Sequence, residues 1–186
     1  MILTGDRSVI DALKDKKRLM EAGQAHSHIR PVLCIAGGVM RGVYGGGAVT
    51  ALHELGYTEV FDHVIGISTG APTAAYFLSG QPALGTTIYH EECCSPEFIR
   101  CAWRRNWLAN WRDTAAYPIS ISYLDEVFRG ATGKALDCKA VFTNRTKLHI
   151  AVSIAGSGSA WYVNTCDREE LHNAIAGSCQ IPGLSQ

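Results

Sequence analysis

Apolar and polar positions switch between two periods along the chain, and the switches mark its elements. Residues 8–22 (SVIDALKDKKRLMEA) set Val9, Ile10, Leu13, Leu19 and Met20 among charges, which predicts an amphipathic helix with Ser8 as its N-cap. Residues 23–30 form a polar connector. PVLCIA (31–36) is a short continuous apolar run and reads as a buried strand. It runs into GGVMRGVYGGG (37–47) and then AVTALHELG (48–56), which is helical and stopped by Gly56. FDHVIGIS (61–68) reads as a second buried strand. TGAPTAAYFLSG (69–80) follows as a helix with Pro72 in its first turn, where a missing N–H costs little. Residues 92–130 carry no clear period. KLHIAVSIAGSGSAWYVN (147–164) reads as two strands joined by a Gly/Ser turn. DREELHNAIAG (167–177) reads as a helix capped by Asp167, with Glu170 three residues on as a capping-box variant.

Two successive strand–turn–helix units predict an α/β domain with a mostly parallel sheet. Right-handed crossovers bring both strand ends to one edge, so the loops after residues 36 and 67 meet where open α/β sheets build their sites. The chain has 186 residues, 47% of them apolar and 18% charged, which suits one folded domain and excludes a disordered chain. Lys plus Arg balances Asp plus Glu at 17 each, so no bulk field favours nucleic acid. No apolar run reaches the 18 or so residues of a membrane span, and no signal-peptide pattern opens the chain. Seven cysteines then read as reduced thiols of a cytoplasmic protein.

Two glycine-bearing motifs carry the chemistry. Gly66-Ile67-Ser68-Thr69-Gly70 has the form G-x-S-x-G, with a strand before it and a helix after. A nucleophile on so sharp a turn needs small neighbours, and a helix N-terminus favours developing negative charge. The plainer reading of the pentapeptide is a tight turn whose serine caps the helix. Gly37-Gly38-Val39-Met40-Arg41-Gly42 follows the first strand, and closely spaced glycines there expose backbone N–H groups to an anion or oxyanion. Neither G-x-G-x-x-G nor G-x-x-x-x-G-K-[ST] occurs, which speaks against a nucleotide site.

These motifs resemble those of the patatin-like phospholipases, serine acyl hydrolases of lipid esters. The family's G-G-G-x-[RK]-G loop is matched by Gly37–Gly42 and its nucleophile motif by Gly66–Gly70. AIAGSCQIPGL (174–184) is similar to the segment preceding the family's catalytic acid. The resemblance covers roughly residues 31–186, with 1–30 as an N-terminal helix and connector. It implies a three-layer α/β sandwich around a central, mostly parallel sheet. It also implies Ser68 as nucleophile in a Ser–Asp dyad, an oxyanion hole from the amides of Gly37, Gly38 and Val39, and Arg41 and Gly42 supporting the loop. Gly66 and Gly70 would form the nucleophile elbow. No metal or organic cofactor is implied. The implied partner is a lipid or acyl-ester substrate.

Two departures stand out. Val39 replaces the family's third glycine, and a β-branched residue is strained there if the position needs positive φ. No D-G-[GA] occurs either. The aspartates after Ser68 are Asp113, Asp125, Asp137 and Asp167, none followed by Gly. Asp125 and Asp137 read as surface residues and Asp167 as a helix cap, so the dyad acid is expected to lie outside a C-terminally incomplete domain. The alternative function is an inactive module of the same fold that binds lipid or a protein partner.

Three further features have plainer readings beside the functional ones. Trp103, Trp107 and Trp111, interspersed with arginines, suggest either an interfacial helix giving peripheral membrane contact or a packed flank of the domain. The flank is favoured. His90, Cys93, Cys94 and Cys101 lack clean metal-ligand spacing and read as packing or free thiols. A Ser–Asp–His triad would need Asp137 or Asp167 with His172, an arrangement the early glycine loop disfavours.

Overall fold

The structure, a computed structural model, describes residues 6–24, 28–99 and 118–185. Its frame is a four-stranded sheet in the order β1 (Val32–Ile35), β2 (His63–Ile67), β3 (Lys147–Ser153), β4 (Ala160–Val163). The first three strands are parallel and β4 returns antiparallel, with Ile35 opposite Gly66, Gly66 opposite Ile150, and Ile150 opposite Val163. This is the α/β architecture with a mostly parallel sheet that the strand–turn–helix repeats imply.

Register sorts the side chains into two faces, because successive residues of a strand point to opposite sides. Ile35, Val64, Leu148 and Ile150 point into the core. Against them pack α3 (Gly70–Leu78) and α7 (Arg168–Cys179). Every residue of α3 is buried, so its nearly continuous apolar sequence belongs to a central helix rather than a surface one. α2 (Gly42–Glu54) and α4 (Pro82–Glu91) pack on each other and on α3, and α5 (Ile121–Arg129) packs on α7. α6 (Cys138–Thr143) lies against α3. On the opposite face Val32, Cys34, Ile67 and Tyr162 are exposed.

Three local expectations are corrected. The helix expected from residue 48 begins at Gly42, so Gly45–Gly47 are helical. Of these, Gly46 is required by the close approach of α2 and α4, because a Cβ there would sit 2.7 Å from Thr86 Oγ1. The region read as aperiodic contains α5, whose Ile121, Leu124, Val127 and Phe128 form one buried stripe. The cap of α1 (Arg7–Glu21) is Asp6, whose carboxylate accepts from Ser8 N–H at 2.9 Å. Ser8 is thus the donor and not the cap. At α7, Asp167 does accept from Glu170 N–H at 2.8 Å. The return half of the box is supplied by Thr165, whose hydroxyl accepts from Asp167 N–H at 3.0 Å.

Candidate active site

The site forms where β1 and β2 end side by side. Ser68 follows β2 and has φ of +53°, one of two non-glycine residues with positive φ among those described; the other is Val39, at +51°. A left-handed residue reverses the chain within one position, so the strand ends and α3 starts two residues later. The flanking glycines make the turn feasible. A Cβ at Gly66 would lie 2.6 Å from Ala71 Cα, and one at Gly70 would overlap the carbonyl oxygen of Ile35. Real side chains do not approach so closely, so G-x-S-x-G here is a packing requirement in both glycines.

The plainer reading of Ser68 as a helix cap does not hold. The N-cap of α3 is Thr69, with no side-chain cap hydrogen bond, and Ser68 Oγ has no hydrogen-bond partner among the described residues. The backbone of Ser68 is held instead. Its N–H donates to Ser178 Oγ at 2.8 Å. Its carbonyl accepts from Ala71 N–H at 2.8 Å and from the Cys179 thiol at 3.3 Å. Burial pushes that thiol up to about 12, with Cys93 adding to the rise, so it stays protonated as a donor. Next along the chain, the Thr69 carbonyl accepts from the hydroxyls of Thr73 at 2.9 Å and Tyr89 at 3.0 Å. Burial raises the Tyr89 phenol above its ordinary value.

The glycine loop lies directly against this turn. A Cβ at Gly37 would come 2.6 Å from Ser68 Cβ and 3.2 Å from Ser68 Oγ. Gly38 is extended, at φ of 169°, and its carbonyl accepts from Arg41 N–H at 3.0 Å. That bond closes a single turn from Gly38 to Arg41, which is itself exposed. Gly42 is buried, and a Cβ there would overlap the Tyr89 hydroxyl. Loop, elbow and α4 thus meet at one point.

Ser68 and Val39 are both in the wall of an open-mouthed cavity. Its other walls include Pro72, Tyr76, Ile88, Phe98, Ile121, Leu124 and Phe128. A largely apolar cavity with a few hydroxyls in its wall, Ser68 among them, suits an apolar chain attached to a reactive polar group.

The described aspartates after Ser68 are engaged elsewhere. Asp137 caps α6 by accepting from Ala140 N–H at 3.0 Å, and Asp167 caps α7. Asp125 is not a plain surface residue. It accepts from Arg129 Nε at 2.7 Å and approaches His172 Nδ1 to 3.2 Å without hydrogen-bond alignment. His172 is fully buried, with its Nε2 3.6 Å from Cys138 Sγ. Asp113, Cys101 and the three tryptophans lie outside the described residues. Of the remaining thiols, Cys93 is buried and pushed up to about 12 by burial, whereas Cys94 is exposed.

The model of one protein family, patatin-like phospholipase, matches residues 33–186. The chain belongs to the patatin-like phospholipase family. No curated protein and no solved structure matches it. The match makes this a patatin-like domain of a lipid-hydrolase family whose substrates are lipids, and it takes in both glycine motifs and the 174–184 segment. Among the described residues no helix is long and apolar enough to cross a membrane. Sequence reasoning missed Thr73, Tyr89, Ser178 and Cys179 around the elbow. The 174–184 segment was itself legible by resemblance, but the contact that uses Ser178 joins residues 110 positions apart, and no local pattern announces it.

Proposed function

We propose that this patatin-like domain is a lipid acyl hydrolase acting through Ser68. The supporting observation is the strained elbow, with Ser68 at φ of +53° and its hydroxyl without a hydrogen-bond partner among the described residues, in the wall of a largely apolar cavity. A non-glycine residue in this conformation persists only where its surroundings over-determine it, and such residues cluster at functional sites.

The reaction follows from the placement. A fatty-acyl ester lays its chain in the cavity with the carbonyl carbon at Ser68 Oγ. The amides of Gly37, Gly38 and Val39 donate to the carbonyl oxygen as it becomes an oxyanion, where each fixed donor is worth most. Ser68 Oγ bonds to the carbonyl carbon and loses its proton to a base. The C–O bond to the alcohol breaks, and the alcohol departs with a proton. Water then attacks the acyl-serine and releases the fatty acid. Val39 keeps its amide, so the third donor survives the replacement of glycine.

A second reading rests on the aspartates. Among the described residues none contacts Ser68, and a serine without a base is a weak nucleophile. The domain would then hold acyl chains or a partner without turnover. A fluorophosphonate probe decides between the two. Labelling of the wild type, absent in Ser68→Ala, is the expected result. No labelling of a protein that melts cooperatively establishes the inactive module instead.

A further inference from the structure

The hydroxyl of Ser178 joins three elements at one atom. It accepts the N–H of Ser68 at 2.8 Å and donates to the carbonyl oxygen of Ala151 at 2.6 Å. Ala151 stands opposite Ile67 in the β2–β3 ladder, so the acceptor belongs to the strand beside the elbow. A serine hydroxyl has one proton. With that proton committed to Ala151, its lone pairs are left to face Ser68 N–H. The polarity is therefore fixed in one direction, from Ser68 through Ser178 to β3.

Ser178 sits near the C-terminal end of α7, and Cys179 beside it holds the next peptide unit through the Ser68 carbonyl. Two consecutive residues of one helix thus hold the N–H and the C=O of a residue whose own φ disfavours the conformation it adopts. Both the hydroxyl and the thiol reach off α7 to other elements.

We propose that Ser178 is a positioning residue for the Ser68 nucleophile. It pins the Ser68 backbone so that Oγ faces the cavity and the glycine loop, and it does not itself touch substrate. This rests on the reading of Ser68 as a nucleophile. Removing the hydroxyl leaves the Ser68 amide without its partner and lets the elbow drift. Reaction geometry is sensitive to such drift, since a displacement near 1 Å can cost about a hundredfold in rate.

The test uses the full chain and an alkyl fluorophosphonate, reading the maximal inactivation rate separately from the half-saturating probe concentration. In Ser178→Ala the maximal rate is expected to fall about ten- to hundredfold, with half-saturation unchanged because the cavity walls are intact. Ser178→Thr, which keeps the hydroxyl, is expected to restore the rate. If Ser178→Ala labels as fast as wild type, or is slowed only through half-saturation, the positioning role is overturned. A merely structural role would lower the melting temperature without this split. Should Ser178→Ala lose its cooperative melt, Ser178→Cys takes its place, since it keeps the shape with a weaker acceptor. A slowed maximal rate there supports the proposal and an unchanged rate overturns it. Failure of folded wild type to label overturns the nucleophile reading and this proposal with it, whereas equal labelling of wild type and variant overturns this proposal alone.

Discussion

Val39 carries a conflict between its chemistry and its place. Its φ of +51° lies in a region that costs an L-residue about 1–2 kcal/mol, and branching at Cβ makes it worse suited than most. The residue is 42% exposed, so packing compensates only in part. Val39→Gly removes the strain but adds about 0.5–1 kcal/mol of backbone entropy cost. The balance favours glycine, and thermal melting of the variant is expected to rise by about 2–4 °C, the shift of roughly 1 kcal/mol in a chain of this size. The amide stays in either variant, so the fluorophosphonate labelling rate is expected to move far less than the roughly 10²–10³ that losing a donor costs. A lower melting temperature would show that the Val39 side chain holds the loop by contacts stronger than the strain. Much at this scale was legible in advance. Gly66, Ser68 and Gly70 announced a turn that only small flanking residues allow, and the conditional strain at Val39 followed from its replacing a glycine. Ser178 was not legible, because a hydroxyl that accepts from a distant amide looks like any serine in a helix.

Between elements, the seam of α5, α6 and α7 holds a buried titratable group. His172 of α7 is fully buried and faces Asp125 and Arg129 of α5, Cys138 of α6, and Arg168 and Glu169 of its own helix. Arg129 ties the seam together by donating to both Asp125 at 2.7 Å and Glu169 at 2.8 Å. Burial, with Arg129 adding, holds the His172 pKa below its ordinary 6.5, against the opposing pull of Asp125. The unfolded chain therefore binds a proton that the folded chain resists, and stability rises with pH across this interval. It is fully present above about 6.5, the unfolded value, and is lost as pH falls from there towards the folded value. One such proton changes stability by at most about 1.4 kcal/mol per pH unit. Melting temperature is expected to drop from pH 7 to pH 5, and His172→Gln is expected to flatten that slope. Flattening will be partial, because burial and the neighbouring His63 also lower His149. An unchanged slope in His172→Gln would move the acid sensitivity to other groups, His149 among them. The helix that supplies Asp125 escaped sequence reading because its stripe of Ile121, Leu124, Val127 and Phe128 is short and adjoins a Trp- and Arg-rich stretch without clear period. The early start of α2 escaped for another reason: its glycines signal a loop locally, and only the packed structure shows that α4 approaches Gly46 too closely for a side chain.

Across the whole molecule, the sheet is unequal in its two faces. One face is sealed by α3 and α7 around Val64 and Ile150, each almost inaccessible to solvent. On the other, Ile67 of β2, Ala151 of β3 and Tyr162 of β4 form one cross-strand row, and Cys34, Ile65 and His149 form the next. Val32, Ile67 and Tyr162 there are 48%, 44% and 55% exposed. The strand sequences foreshadowed this only weakly. PVLCIA and HVIGI are apolar at successive positions, the pattern of strands covered on both faces, and sequence cannot say which face a given element seals. An apolar row of this kind across a sheet is a patch that water contacts at a cost. An apolar fluorescent dye that brightens on hydrophobic surface is therefore expected to bind the native protein. Combining Val32→Thr with Tyr162→Lys is expected to reduce that binding while keeping stability within about ±0.5 kcal/mol, as for exposed positions in general. The cavity at Ser68 is a competing source of dye binding, and the two are separable. If the double variant binds dye as wild type does, the dye reads apolar surface elsewhere, at the cavity by Ser68 or at exposed residues such as Tyr44, Leu55 and Trp161.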